Sequence, residues 1–350
     1  MSICSSVVQD CPSSIVQTPR RSFARTRRLL WIATMAIAIG MSAAYLLPQH
    51  FRNTSTLYGF AAVLSFFARV FQFHVALVAC AIAGLALLIR AKSLAIFASI
   101  VAIVLLLPTF ASLLPRAAPA PAGQSLRVMS INLLYDNRAG DAILRQIRSA
   151  NPDVIAFQEY NLWADDLLQR ELKEYPYRAV ETFDDDASDT AIFSKVPMQG
   201  EIQHSNNRLG ERIQARATLK LDGREVALYS IHPASPYCYS NVLRNRLETA
   251  DLIDELRNEK LPVIVAGDFN ATPLTANLAA FDALGFKNTH GLAGWGRGST
   301  WINIGLLRYL PGFRIDHILI SPQLTCTRSE VCGCTGSDHR PIIADVAWAR

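Results

Sequence analysis

Apolar residues fill the first third of the chain with few interruptions. Three runs without a charged residue fall at 29–47, 70–89 and 93–114. At 1.5 Å per residue, each run is about long enough for a helix to cross the roughly 30 Å hydrocarbon core of a bilayer. The pattern predicts an all-α transmembrane anchor of about three helices over residues 29–114. Residues 53–67 are amphipathic to apolar and predict an interfacial or re-entrant lead-in to the second span.

Positive charge marks the flanks of these runs. Five arginines precede the first run: Arg20, Arg21, Arg25, Arg27 and Arg28. Arg90 and Lys92 stand between the second and third runs. Because Lys and Arg in short flanks stay in the cytoplasm, residues 1–28 are predicted to be a basic cytoplasmic tail. Three spans then place the rest of the chain on the periplasmic side of a bacterial inner membrane. A cleaved signal peptide and a twin-arginine export signal are the alternatives for the first run.

Residues 115–124, PRAAPAPAGQ, predict an extended linker before a domain over 125–350. The charges change sign near this boundary. The chain holds 34 Lys and Arg against 29 Asp and Glu, a net charge of +5, but ten of the basic residues and a single acid precede Gly123. The remainder therefore has 24 basic and 28 acidic residues. A net-acidic domain argues against nucleic acid as its partner.

From Leu126 onward, short apolar runs typical of strands alternate with helical patterns. Strands are predicted at 126–132, 154–159, 212–221, 224–231, 262–266, 314–320 and 341–348, and helices at 139–150 and 241–257. Residues 212–221 alternate strictly between apolar and polar side chains, and Asp222-Gly223 is a two-residue hairpin signal. This mixture predicts an α/β sandwich of packed sheets with helices outside.

Most of these strands end in or beside a carboxylate, an amide or an imidazole. The residues are Asn132, Glu159, His232, Asp268, Asn270, Asp316, His317, Asp338 and His339. Strand ends hold side chains rigidly at a sheet edge, so residues distant in sequence are expected to share one cleft. Carboxylates and amides without cysteine are suited to Mg²⁺, or to Mn²⁺, rather than to zinc.

Five short motifs contain all of these residues except His232: Ser130-Ile131-Asn132, Gln158-Glu159, Gly267-Asp268-Phe269-Asn270, Ile315-Asp316-His317 and Ser337-Asp338-His339-Arg340-Pro341. In this order they resemble the motifs of the endonuclease/exonuclease/phosphatase superfamily, which has the deoxyribonuclease-I-like fold. The resemblance covers about residues 126–349. It implies a four-layer α/β sandwich, two packed mixed β-sheets flanked by helices, and a metal-dependent hydrolase that attacks phosphoester bonds with water in line.

The resemblance also implies a role for each site residue. Glu159 is the main metal carboxylate, with Asn132 and Asp338 supporting it. The catalytic residues are Asp268, which orients or deprotonates the water, with Asn270, His232, His339 and Asp316. His232, Asn270 and His339 also bind the phosphoryl group, and Asp316 holds the His339 imidazole. Taken singly, Asp268 fits a turn and Asp316 fits an ion pair with Arg314, so the ordered set carries the interpretation.

Three functions follow as hypotheses. The leading one is a membrane-anchored phosphodiesterase or phosphomonoesterase acting on a phospholipid headgroup or another small phosphoester, with the lipid bilayer as partner. A nuclease acting on extracytoplasmic DNA or RNA is the second; Leu134, where some family nucleases carry an acid, and the lack of a basic, aromatic insertion weaken it. A catalytically silent signalling scaffold is the third. The oligomeric state stays open.

Several other residues receive structural interpretations. Cys238, Cys326, Cys332 and Cys334 could form disulfides in the periplasm, with their pairing open, and their spacing fits no usual zinc site. His204 and His290 are predicted on the surface, and Asp184, Asp185 and Asp186 in a solvated loop. Trp295, Trp301 and Tyr309 are predicted to be core aromatics, with contact to a bilayer or a substrate as the alternative.

Overall fold

A computed structural model describes residues 23–113, 120–182 and 189–350 of the chain. Its N-terminal region consists of four helices: α1 (Ala24–Leu46), α2 (Thr56–Val70), α3 (Gln72–Leu88) and α4 (Lys92–Leu113). By length and composition, α1 and α4 could each cross a membrane, and the bent pair of α2 and α3 could form a third span.

The second predicted span, residues 70–89, corresponds to α3. The amphipathic segment 53–67, predicted as an interfacial or re-entrant lead-in to this span, forms most of α2, and the buried face of α2 packs against the rest of the protein. The chain bends by 68° where the two helices meet at Phe71. The bend therefore lies between the predicted lead-in and the predicted span.

Twelve strands form two six-stranded sheets in the described part of the chain. The first sheet holds β1 (Pro121–Asn132), β2 (Val154–Gln158), β3 (Tyr177–Ala179), β4 (Thr190–Ser194), β11 (Leu324–Val331) and β12 (Ile342–Ala349). The second holds β5 (Met198–Asn207), β6 (Gly210–Leu221), β7 (Arg224–Ile231), β8 (Val263–Asp268), β9 (Lys287–Asn288) and β10 (Asp316–Ile320). Their orders are β11-β12-β1-β2-β4-β3 and β5-β6-β7-β8-β10-β9.

Each sheet is mixed, because β1 pairs in parallel with β2 and β7 with β8 while the other pairs are antiparallel. Helices α5 (Gly140–Ala150) and α6 (Leu162–Glu171) cover the outer face of the first sheet. Helices α7 (Tyr239–Asn258) and α8 (Ala276–Ala283) cover the second, and α9 (Thr289–Ala293) and a 3₁₀ turn (Gly305–Tyr309) lie in later connections. The four-layer α/β sandwich is therefore confirmed.

The sheets pack through the alternating positions that the sequence predicted. Ala215, Ala217, Leu219 and Leu221 of β6 are buried in the core between the sheets. Asp222 and Gly223 turn the β6–β7 hairpin with positive φ angles of 51° and 80°, as a tight type I′ turn requires. The strands β3, β4, β5 and β11 and the helix α6 had not been predicted. β4 is five buried residues without alternation, and β5 is a largely polar edge strand.

The helical region contacts the sandwich directly. Strand β1 begins at Pro121, inside the segment predicted as a linker, and pairs with the end of β12. Phe66 of α2 joins the core cluster formed by β7, β8 and α7. Arg52 forms ion pairs of 2.7 and 2.6 Å with Asp251 and Asp254 of α7. The expectation that a linker lifts the domain away from the helices is therefore wrong.

Candidate active site

The parallel pair of β1 and β2 brings together the first two site residues. Asn132 lies opposite Gln158 at the end of this pair, and Glu159 follows immediately. The Asn132 Nδ2 group donates to Glu159 Oε1 at 2.9 Å, and the Tyr135 backbone amide donates to Glu159 Oε2 at 2.7 Å. Both carboxylate oxygens are thus fixed in position by strand-end geometry.

The parallel pair of β7 and β8 does the same in the second sheet. Ile231 is paired with Gly267, so His232 and Asp268 leave the sheet side by side. A side chain at residue 267 would collide with the Ile231 carbonyl, and the Gly267 φ angle is +157°. Glycine is therefore required for this close approach. The His232 Nε2 atom lies 3.7 Å from Asp268 Oδ2.

Strand β10 adds the next carboxylate. Asp316 lies opposite Asp268 in the antiparallel pair of β8 and β10. Its Oδ2 atom is 3.0 Å from Nδ1 of His339, which comes from the loop before β12. The other ring nitrogen of His339 lies 3.7 Å from Asp268 Oδ2. One imidazole therefore stands between two buried carboxylates.

The two sheets meet at this point. The Asn132 Nδ2 group of the first sheet also donates to Asp268 Oδ2 of the second, at 3.2 Å. Below it, Ser230 donates to the Phe157 carbonyl at 2.9 Å and accepts from Gln158 Nε2 at 3.0 Å. These bonds between the layers fix the two halves of the site relative to each other.

Asp338 and Asn270 complete the cluster. Trp301 Nε1 donates to Asp338 Oδ2 at 2.9 Å, while the buried Asp338 Oδ1 atom has no hydrogen-bond partner among the described residues. The Asn270 backbone amide donates to Asp268 Oδ1 at 2.8 Å, and the Asn270 side chain bonds to Pro233 O. Asn270 and Glu159 have left-handed φ angles of 51° and 52°, and such strained conformations concentrate at functional sites.

Eight of the nine residues predicted from the strand ends thus lie in one cluster, and His317 is the exception. Residues 129–339 match the Endonuclease/Exonuclease/phosphatase family. The match spans more than half of the sequence. The chain belongs to this family. Because the family consists of phosphoester hydrolases, the chain is assigned to that class of enzyme.

Several solved structures share this fold. A family protein from Bacteroides thetaiotaomicron superposes with a TM-score of 0.52 at 19% identity, covering 65% of this chain and 98% of that one. A humanized TDP2 from D. rerio gives 0.53 at 18% identity, with coverages of 64% and 99%. A mannosyl-6-phosphatase from B. thetaiotaomicron gives 0.50 at 18% identity, with 64% and 100%. No curated protein sequence matches the chain.

The two site imidazoles of this family member are held in their charged form. Burial lowers the pKa of His232, but Asp189, Asp268 and Glu159 outweigh it and raise that pKa to about 10. Burial likewise lowers the pKa of His339, and Asp316 and Asp268 raise it to about 10. Two buried cations side by side suit an anionic phosphoryl group.

Asp268 is the carboxylate with the most altered proton affinity. Burial raises its pKa, the His339 imidazolium lowers it, and Asp316 raises it again, to about 6 in balance. A carboxylate whose pKa lies near neutrality, beside protonated imidazoles, is suited to accept a proton from water. The position of Asp268 at the centre of the cluster agrees with its predicted role.

Sequence patterns missed two members of the site. Asp189 accepts a 2.8 Å hydrogen bond from His232 Nδ1, but it belongs to an acidic loop without a recognisable motif. Trp301 was predicted to be a core aromatic, yet it is half-buried and orients Asp338. Among the strand-end residues, His317 does not join the cluster, because its Nε2 faces the Ala271 carbonyl at 2.9 Å and burial lowers its pKa to about 3.

Other structural interpretations had mixed outcomes. His290 was expected on the surface but is buried, 3.0 Å from the Gly296 carbonyl, whereas His204 is exposed. Trp295 and Tyr309 were expected in the core but are 77% and 73% exposed. The domain cysteines, Cys238, Cys326, Cys332 and Cys334, are free thiols. The predicted solvated loop of Asp184, Asp185 and Asp186 lies outside the described residues.

The donor set fits a divalent cation on the Glu159 side of the cluster. Glu159 and Asp338 line the same cavity, and the unpartnered, buried Asp338 oxygen is a ready ligand. Asp268, Asp316 and His339 also lie close enough together to hold an ion. The His339 Nδ1 atom is, however, already paired with Asp316, so that triad is better explained as a hydrogen-bonded group. Oxygen ligands of this kind suit Mg²⁺ or Mn²⁺.

Proposed function

We propose that this chain is a membrane-anchored, divalent-metal-dependent phosphoesterase that hydrolyses phosphodiester or phosphomonoester bonds by in-line attack of water. One observation carries the proposal: carboxylate, amide and imidazole side chains from six separate segments of both sheets, including that of Asp268, form one cluster. A purely structural role has no need for such a buried, strained and charged cluster. The substrate class is a phospholipid headgroup or another small phosphoester.

The reaction can be written with the residues of the cluster. Asp268 orients the attacking water and accepts one of its protons, with Asn270 fixing the water and the phosphate. The water oxygen forms the new P–O bond as the ester P–O bond breaks, and solvent protonates the leaving oxygen. His232 and His339, both charged, bind the phosphoryl oxygens and offset their growing charge. Asp316 keeps the His339 ring in position.

A divalent cation held by Glu159 and Asp338, with Asn132 beside them, would supply charge neutralisation and orientation of the phosphoryl group. Mg²⁺ is the expected ion, and Mn²⁺ is the alternative. Asn132 contributes by bonding both Glu159 and Asp268, which ties the metal side of the cluster to the water side.

The location is proposed from charge and helix length. The arginines at the N-terminal end of α1, together with Arg90 and Lys92 at the start of α4, belong on the cytoplasmic side of a bacterial inner membrane. Spans formed by α1, α3 and α4 then place the catalytic domain on the periplasmic side, while α2 lies along the membrane surface. The lipid bilayer is accordingly the proposed partner.

A panel of phosphoesters tests this function. The full-length protein in mild detergent is offered phospholipids, glycerophosphodiesters, sugar phosphates and nitrophenyl phosphates, each with MgCl₂ and with EDTA. We expect turnover of at least one substrate with Mg²⁺, and a loss of about 10²-fold or more in Asp268→Asn. Absence of turnover on every substrate, or equal rates for wild type and variant, refutes the proposal. Metal binding without any turnover favours the signalling-scaffold hypothesis instead.

A nuclease acting on DNA or RNA is the competing enzyme. The net-acidic catalytic domain offers little to hold a polyanionic strand. Plasmid nicking by the same preparation distinguishes the two activities. Nicking that exceeds every small-substrate rate, and that weakens steeply as salt rises, supports the nuclease.

A further inference from the structure

Helix α2 has one face fixed to the catalytic domain. Gly59 lies so close to Tyr239 and Leu243 of α7 that a side chain at residue 59 would collide with both. Phe66, about two helical turns further along, is only 2% exposed and packs in a core cluster with Val242 and Ile231. The helix is therefore part of the domain surface as well as of the apolar N-terminal region.

The opposite face of α2 is apolar and open. Its large side chains Leu57, Phe60, Leu64 and, at the bend, Phe71 are 86%, 59%, 57% and 43% exposed. Residues spaced three, four and seven apart lie on one side of a helix, so these form a continuous stripe. An exposed apolar stripe of this length marks an interaction surface.

A second apolar surface borders this stripe. In residues 304–310 the exposed side chains are Ile304 (54%), Leu306 (83%), Tyr309 (73%) and Leu310 (61%). The segment continues into Pro311, whose carbonyl lies 2.8 Å from His74 Nε2 at the start of α3. The rings of Phe71 and Phe313 also meet edge-on at 5.2 Å. We call the stripe and residues 304–310 together the apolar rim.

A cavity of about 320 Å³ lies between the α2–α3 bend and the catalytic cluster. One wall carries the site residues Glu159, Asn270, Asp338 and His339. The facing wall is formed by the N-terminal region itself, through Phe66, Phe67, Val70 and Phe71. The active-site cavity is therefore lined by the catalytic domain and, on one side, by the apolar helix.

We propose that the α2–α3 bend forms an apolar wall of the active site and that the substrate is an amphiphilic phosphoester resident in the bilayer. Its phosphoryl group lies on the polar wall, and its hydrocarbon lies against Phe67, Val70 and Phe71. This inference rests on the proposed function and deepens it. A small water-soluble phosphoester has no hydrocarbon to place against the apolar wall. A lipid has a phosphoryl group for the polar wall and a hydrocarbon chain for the apolar one.

The size of the cavity agrees with partial entry of the substrate. About 320 Å³ is near the lower limit of the range for small-molecule sites. It holds the phosphoryl head and the first part of a hydrocarbon chain. The apolar rim, which is continuous with the cavity through Phe71, keeps the remainder of the chain in the bilayer and out of water.

Binding of two alkyl phosphates tests the apolar wall without requiring turnover. Ethyl and hexyl phosphate are titrated by calorimetry into the full-length protein in detergent with MgCl₂. Hexyl phosphate has four more methylene groups, each of which adds about fourfold in affinity where it is fully buried. We expect hexyl phosphate to bind about tenfold or more tightly than ethyl phosphate.

Variants of one helix provide the matched controls. Phe67→Gln, in the wall, should lose most of the hexyl-to-ethyl affinity ratio, and Phe67→Leu should keep it. Phe60→Gln makes the same change on the same helix but outside the cavity, so it should also keep the ratio. A ratio near one in wild type, no binding of either compound, or an unchanged ratio in Phe67→Gln overturns the inference. So does a dimer that Phe60→Gln splits, because a second copy would then cover the rim.

The outcome separates this inference from the proposed function. If the ratio behaves as expected but no phosphoester is hydrolysed, the apolar wall stands and the phosphoesterase proposal fails. If soluble phosphoesters are hydrolysed and the ratio is near one, the enzyme stands and the bilayer-resident substrate is excluded.

Discussion

Replacing Phe66 by alanine tests whether α2 is a structural part of the catalytic domain. The Phe66 side chain is 2% exposed and lies in the cluster that covers the outer face of the second sheet. Removing a buried phenyl ring from a protein core costs about 3–5 kcal/mol, because transfer free energy and packing are both lost. If α2 were only a tether, the same change would leave the catalytic domain unaffected.

Urea unfolding of the full-length protein in mild detergent measures this cost. Micelles protect the transmembrane helices, so the transition followed by tryptophan fluorescence reports chiefly on the sandwich. With a denaturant slope of about 3 kcal/mol per molar, the midpoint of Phe66→Ala should fall by about 1 M or more. Phe60→Ala, on the same helix but 59% exposed, should change the unfolding free energy by less than about 0.5 kcal/mol. Equal midpoints for the two variants would refute the reasoning.

Three further predictions follow from buried polar groups. Ser230→Ala removes both hydrogen bonds between the sheets and should lower the unfolding free energy by about 1–3 kcal/mol, measured by the same urea titration; an unchanged midpoint contradicts this. Burial, with Arg314, lowers the pKa of His290 to about 4, so its contribution to stability is complete above pH 6.5 and is lost as pH falls toward 4. In His290→Gln the unfolding free energy should fall less steeply as pH falls, by up to about 1.4 kcal/mol per pH unit. Parallel plots of unfolding free energy against pH for the variant and wild type would contradict this. Asp338→Asn should raise the Mg²⁺ concentration for half-maximal hydrolysis about tenfold or more; identical Mg²⁺ titrations would remove Asp338 from the metal site.

Local patterns predicted those strands that have one apolar face in the core and one polar face. β6 and β7 alternate regularly and turn at Asp222-Gly223, so their pairing follows from residue spacing alone. β4 has no alternation, because all five of its residues are buried, and β5 is a polar edge strand stabilised by its pairing with β6. Such strands are stabilised by the strands that pair with them, and a single sequence does not show which segments will pair.

The catalytic cluster was predictable because strand ends carry its residues. Parallel pairing makes this possible: Ile231 opposite Gly267 places His232 beside Asp268 without any information beyond the register. Asp189 and Trp301 could not be found in this way. Each lies in a loop and acquires its role from one long-range hydrogen bond, to His232 and to Asp338 respectively.

The α2 helix shows most clearly what hydrophobic patterning leaves ambiguous. Phe60 and Phe66 are six residues apart, so they point to different sides of the helix, one exposed and one buried. A helix that is apolar on both sides has no polar, solvent-facing side. Its sequence is therefore equally typical of a membrane helix and of a buried core helix. In the structure one side of α2 is buried against the catalytic domain and the other side is exposed. Under the proposed membrane anchoring, the exposed side faces the bilayer and the adjoining cavity lies at the membrane surface, the position from which a lipid phosphoester would enter without leaving the bilayer.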